Sequence, residues 1–218
     1  YLLLSNISIS DISSYNFIQN YQDKLNSFKS QNTFLLIFIF ILFVNIWVLM
    51  LGFGSPISII GGFIFGQWIG TLLTALSLSF GSLMLYFLGK YFFYEFLKEK
   101  YYKKFNYLSN IFKNNELSIM IIYRFVGLVP FFIANLIPVI FNVKPLNYFL
   151  GTLIGILPSI FILVSLGSGF SEAIYQYQNY PSIIDLIKLP EIYLPITGFI
   201  CIVLISYFLR KKFFKINE

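Results

Sequence analysis

Apolar residues in this chain come in long unbroken runs rather than in the alternation of a half-buried strand, and short Gly- and Pro-marked breaks divide the runs. The run over 33–51 predicts a transmembrane helix, because about 20 residues at 1.5 Å each cover the ~30 Å of a hydrocarbon core. Gly52-Phe53-Gly54-Ser55-Pro56 interrupts it, and too few residues separate Pro56 from Gly66 to cross and return as full helices. The segment 52–69 therefore predicts a re-entrant hairpin, and 70–89 a second full span. A second broken stretch, 117–141, carries Gly127, Pro130 and Pro138. Full spans are predicted again over 148–167 and 192–209.

The polar segments between the runs have their own patterns. Within 1–32, a polar leader, Tyr15, Ile18, Tyr21, Leu25 and Phe28 recur every three or four residues, which fits either a short amphipathic helix or a solvated lead-in. In 90–116, Phe93, Leu97, Tyr101, Phe105, Leu108 and Phe112 keep a helical period among six Lys and three Glu. That predicts an interfacial amphipathic helix; a plain basic loop is the rival reading. The fold class expected is all-α and polytopic, with about four full transmembrane helices over 33–209, two re-entrant hairpins and a basic cytoplasmic tail, 210–218.

Composition narrows the chemistry. The chain is 58% hydrophobic and only 11% charged, with 27 Phe, where soluble domains are nearer a quarter charged. It has no His and a single Cys, Cys201. Ser-His proteolysis, His-dependent phosphatase chemistry, His-ligated metal and disulfides are excluded. No Asp or Glu lies within a predicted span, which argues against an aspartyl protease or a buried carboxylate proton relay. The chain is expected to be no enzyme, to use no cofactor or metal, and to bind no nucleic acid.

Positive charge orients the spans. The basic 90–116 segment and the tail from Arg210 are expected in the cytoplasm, and the acidic 170–191 loop outside. That holds if 117–141 enters and leaves on the cytoplasmic side, with 52–69 on the opposite side and both termini cytoplasmic. Trp47, Trp68, Tyr175, Tyr177, Tyr180 and Tyr193 then fall at the outer boundary, and Tyr86, Tyr91, Tyr148 and Tyr207 at the inner one. The outcome is an inverted repeat with opposed hairpins, an arrangement transporters use to build a site near the midplane.

Arg124 is the only charged residue inside a long apolar stretch. Burying it costs about 2.5–3.5 kcal/mol on insertion scales, so an intramembrane Arg marks a candidate site. Its guanidinium suits a lipid phosphate; the competing role is to snorkel and tie down hairpin carbonyls. Gly127 and Pro130 break the helix beside it, and a helix restarting after Pro130 would aim its positive end at an anion. Asn135 could touch a headgroup or satisfy carbonyls opened by Pro138, and Pro56 opens the facing hairpin. Gly62, Gly66 and Gly70, then Gly151, Gly155 and Ser159, form small-residue runs read as close helix packing or hinges, together with Pro158. Asn45 and Gln67 read as interhelical hydrogen-bonders. Lys98, Lys100, Lys103 and Lys104 are expected to attract anionic headgroups.

At these residues the sequence resembles the DedA superfamily, also called the SNARE-associated Golgi protein or VTT-domain family. The resemblance rests on Pro56, Gly61-Gly62-Phe63-Ile64-Phe65-Gly66, Gly70, Gly81 and Tyr86-Phe87-Leu88-Gly89-Lys90. It continues through Tyr123-Arg124, Pro130-Phe131, Asn135, Phe149, Gly151-Thr152, Gly155, Pro158 and Gly167, and covers about 50–170. It is nearer the Golgi-vesicle branch: where bacterial members carry an acidic residue near the first hairpin, Ser55 and Ser58 stand here, and Gly127 replaces the usual Pro. The resemblance implies a transporter or scramblase that moves phospholipid or polyprenyl-phosphate headgroups between leaflets through a groove between the hairpins.

Two other readings stay open: a transporter of a small soluble anion, and a non-transporting scaffold that recruits partners through its basic helix and tail. Self-association into a homo-oligomer is left open too. The compact chain suggests a bacterial plasma membrane.

Overall fold

A computed structural model describes residues 15–127, 130–176, 188 and 190–213. Every element among them is an α-helix: α1 (Tyr15–Gln31), α2 (Thr33–Leu49), α3 (Gly54–Phe65), α4 (Gln67–Asn114), α5 (Glu116–Val126), α6 (Phe131–Ile140), α7 (Pro145–Gln176) and α8 (Pro190–Phe213). The breaks have local causes. Gly66, at φ 78°, ends α3 and admits α4. Gly127, in the left-handed region at φ 59°, ends α5. Asn115 caps α5 by accepting from the Ser118 N–H at 3.4 Å. Pro145 opens α7, where its missing N–H costs nothing.

Two long helices form the centre. Gln67–Phe92 of α4 and Pro145–Ile174 of α7 are each long and apolar enough to cross a membrane. They run antiparallel, as the ring pairs Trp68–Phe161 at 5.5 Å, Phe80–Phe149 at 4.8 Å and Tyr86–Tyr148 at 4.6 Å require. Around them pack two helical hairpins. In the first, α2 turns at Met50 to Phe53 and α3 folds back along it: Phe40 meets Phe65 edge-on at 5.2 Å, and the Trp47 Nε1–H donates to the Phe53 carbonyl at 2.9 Å. In the second, α5 and α6 fold back so that the Tyr123 hydroxyl donates to the Ala134 carbonyl at 3.4 Å.

Each hairpin packs on both long helices, through glycines. The α-face of Gly62 seats the Val164 carbonyl, and Gly167 seats that of Ile59, locking α3 to α7. A Cβ on Gly70 would stand 2.6 Å from the Gly61 carbonyl. On the other side, Gly151 meets Met120 of α5, and a Cβ on Gly89 would stand 2.9 Å from Leu136 of α6. In lipid, such close approach replaces the hydrophobic effect as the cohesive term. One buried cluster gathers Phe40, Val44, Ile57, Leu78 and Val164, and a second gathers Met120, Val139, Val143 and Tyr148.

Several expectations change. The 33–51 run forms α2, which passes as a candidate crossing only together with the end of α1, across the bend at residue 32. α2 has 17 residues, ~25 Å of helix, and it forms a hairpin with α3, so the first fold-back is α2–α3 rather than 52–69. Position 66 is instead the turn between α3 and α4. Nor is 90–116 a separate interfacial helix: α4 runs unbroken for 48 residues, with no proline between 67 and 114 to stop it. The span expected over 148–167 extends to 32 residues, and 170–176 of the expected loop is helical. The rest of that loop through 187, the tail beyond 213, and the Lys98, Lys100, Lys103 and Lys104 side chains lie outside the described residues. α1 is helical as its periodicity suggested, and the chain bends by 110° between it and α2. Lys29 Nζ donates to the Ile64 carbonyl at 2.9 Å, and Gln22 Nε2 to the Ser171 carbonyl at 2.8 Å, fastening α1 across the ends of α3 and α7.

Candidate functional site

The tips of the two hairpins meet. A Cβ on Gly54 at the start of α3 would lie 3.9 Å from the Phe131 ring at the start of α6, and 3.5 Å from Leu78. The Phe53 and Phe132 rings stand 6.1 Å apart. Leu78 is close to the midpoint of Gln67–Phe92, so the tips meet at the middle of the long helices. Beside them lies a cleft of about 580 Å³. Gly54 and Ser55, Arg124 and Gly127, Phe131 and Ala134 border it, with α7 and α8 completing the wall.

Two helices begin at this cleft, and neither has a side-chain cap: Phe53 precedes α3 and Pro130 precedes α6. Their first N–H groups have no partner within the helix, and their dipoles present positive ends. Pro130, held at ψ 145°, sets the angle at which α6 starts.

Arg124, in the last turn of α5, is the charged member. It is 7% exposed. Its Nε donates to Thr152 Oγ1 at 3.1 Å and its Nη2 to the Tyr148 hydroxyl at 2.8 Å. The guanidinium also lies 5.3 Å from the Tyr148 ring and 5.9 Å from that of Phe131, within cation–π range. The buried Nη1 has no partner among the described residues. No carboxylate among the described residues pairs with it. Glu116, two turns earlier, accepts instead from the Lys144 N–H at 3.1 Å and the Asn147 amide at 2.7 Å. Arg124 thus stands beside two helix starts without side-chain caps, with one buried N–H group unmatched among the described residues.

Tyr148 is the hub. Fully buried, its hydroxyl donates to the Asn135 carbonyl at 3.2 Å, with the Asn135 Oδ1 at 3.4 Å. Its ring rests on Tyr86, whose hydroxyl donates to the Val143 carbonyl at 2.6 Å. Arg124 is thus tied through Tyr148 to α6.

The residues singled out from sequence divide accordingly. Arg124 and Gly127 border the cleft. Asn135 is fully buried behind Tyr148 and does not line it; its Nδ2 has no partner. Pro56 and Pro130 are exposed and do not border this cleft; they stand at the starts of α3 and α6. Gly62, Gly70, Gly151 and Gly155 are close-packing positions, and a Cβ on Gly155 would stand 2.6 Å from Arg124 Cβ. Gly66 meets nothing within 4 Å; it serves the backbone turn. Pro158, exposed within α7, leaves the Ile154 carbonyl without its helical donor. Gln67 does bond across helices, Nε2 donating to Ser165 Oγ at 2.8 Å. Asn45 bonds within its own helix, to the Ile41 carbonyl at 2.7 Å.

Tyr148, Thr152 and the Gly54 start were not read from sequence as site members. Tyr86 and Tyr148, read from sequence only as boundary residues, are fully buried in the protein. The available signal was the i, i+4, i+7 spacing of Tyr148, Thr152 and Gly155, one face of α7.

A family model described as the VTT domain matches residues 49–169, from the α2–α3 turn through most of α7. No solved structure matches the chain.

Proposed function

The chain belongs to the VTT-domain family, the DedA/SNARE-associated group of membrane proteins, and from that premise we propose that it moves anionic lipid headgroups between leaflets, holding them at Arg124. The observation that carries this reading is the Nη1 of a buried Arg124, unpartnered among the described residues, in a cleft that two uncapped helix starts border and whose described lining holds no acidic residue.

In this reading the α2–α3 and α5–α6 hairpins are re-entrant, entering from opposite faces and touching tip to tip. Their lengths support it: α3 has 12 residues and α6 has 10, or ~18 and ~15 Å, about half a bilayer core. The packing of α2 and α6 on α4, and of α5 and α3 on α7, supports an inverted repeat of α2–α4 with α5–α7.

If α4, α7 and α8 are the crossing helices, their number is odd. α1 then lies on the face opposite the 90–116 segment and the Arg210 tail, and positive charge assigns the latter face to the cytoplasm. In this reading α1 is not cytoplasmic, whereas the charge pattern alone was read as placing both termini there.

The test is lipid exchange in proteoliposomes labelled symmetrically with a fluorescent anionic lipid and treated with a membrane-impermeant quencher. Quenching well beyond the outer-leaflet half supports exchange. A plateau at half, with saturable uptake of a water-soluble phosphate ester, would favour the soluble-anion reading.

A further inference from the structure

The cleft has a second, apolar half. Beyond Arg124 and the helix starts, its wall is Ile156, Ile160 and Leu163 of α7 facing Ile202, Val203 and Tyr207 of α8. The latter three lie on a helix beyond residue 169, where the family match ends. α8 is anchored at its other end, where Ile192 and Pro195 are buried. Over the cleft its residues stay partly open, Val203 at 50%.

A free inorganic or small organic anion gains nothing from such a wall, because the wall's apolar surface would stay wet. An anion attached to an alkyl chain removes that surface from water while its charge reaches Nη1. Resting on the anion-site reading above, we infer that the α7–α8 groove holds the first methylenes of the ligand's tail. Ile202 and Val203 are then specificity-determining residues that make the site take an alkyl phosphate in preference to a free one. The tail leaves sideways past α8, so the charged group alone needs to enter the protein.

The experiment uses the full chain in non-ionic detergent and compares calorimetric binding of methyl phosphate and hexyl phosphate. Each methylene that leaves water is worth about fourfold in affinity, so hexyl phosphate should bind at least tenfold tighter than methyl phosphate. Val203→Trp, which fills the groove, and Ile202→Ala, which strips its wall, should each cut that ratio at least threefold while methyl phosphate affinity stays within twofold. Arg124→Gln should weaken both probes together. Equal binding of the two probes to the wild type, or an unchanged ratio in both α8 variants, overturns the tail groove and leaves the anion site standing. Absence of binding by either probe overturns the anion site and this inference with it.

Discussion

Gly155→Ala adds one methyl group at a close contact between α5 and α7, directly against Arg124. The new Cβ would stand 2.6 Å from Arg124 Cβ and 2.7 Å from the Ile121 carbonyl oxygen, against an optimal separation of about 3.5–4.0 Å. The helices must part by about 1 Å at this point. The bond from Arg124 Nε to Thr152, 3.1 Å long, would then stretch past the range of a hydrogen bond. Overpacking costs about 1–3 kcal/mol, and a lost interhelical bond in a bilayer about 0.6–1.7 kcal/mol. Alanine's better helix propensity returns up to ~1 kcal/mol. The balance is a net loss of about 1–4 kcal/mol, with the packing terms winning.

Gly198→Ala is the control. Its nearest neighbour would be Ile162 at 3.4 Å, an ordinary contact, so the propensity gain acts alone. Reversible unfolding in mixed micelles, followed by the midpoint of denaturing-detergent titration, reads both. Gly155→Ala should unfold earlier than wild type and Gly198→Ala no earlier. If Gly155→Ala is as stable as wild type, the close approach of α5 to α7 and its support of Arg124 are wrong.

Tyr148→Phe takes the acceptor from Arg124 Nη2, and a double-mutant cycle with Arg124→Gln in the same unfolding assay should give a coupling of about 1 kcal/mol; strict additivity would break the hub. Pro56→Ala, at an exposed residue outside the cleft, should leave lipid exchange within twofold of wild type, and a tenfold fall would redraw the site's boundary. In a Cys201→Ala background, a cysteine at Ser27 in α1 and one placed after α8 should react with an impermeant maleimide from opposite faces of sealed vesicles; reaction from one face would refute the odd number of crossings.

The sequence made Arg124 conspicuous because a charge inside an apolar run has no cheap alternative location. Gly127 and Pro130 were readable as a break for the same local reason. The α2–α3 fold-back was not readable, since a 17-residue apolar helix has the composition of a span whether it crosses or turns. What separates the cases is the Met50 to Phe53 turn and the packing of Phe40 on Phe65, a contact 25 residues apart in sequence that leaves no periodic trace. Tyr148 was read only as a boundary residue, since tyrosine at a helix end is common there; its burial in the protein follows from Gly151 and Gly155, which let α5 close over it. Asn135 was read as a ligand or a backbone partner, and its carbonyl does the tying, through Tyr148.

The measurement that bears most directly on the account is the rate of anionic-lipid exchange by Arg124→Gln in proteoliposomes, beside wild type reconstituted at equal density. The account predicts a fall of at least tenfold, the equivalent of about 1.4 kcal/mol, in a variant that still folds, since Gln keeps the volume but loses the charge. Exchange at the wild-type rate would contradict it.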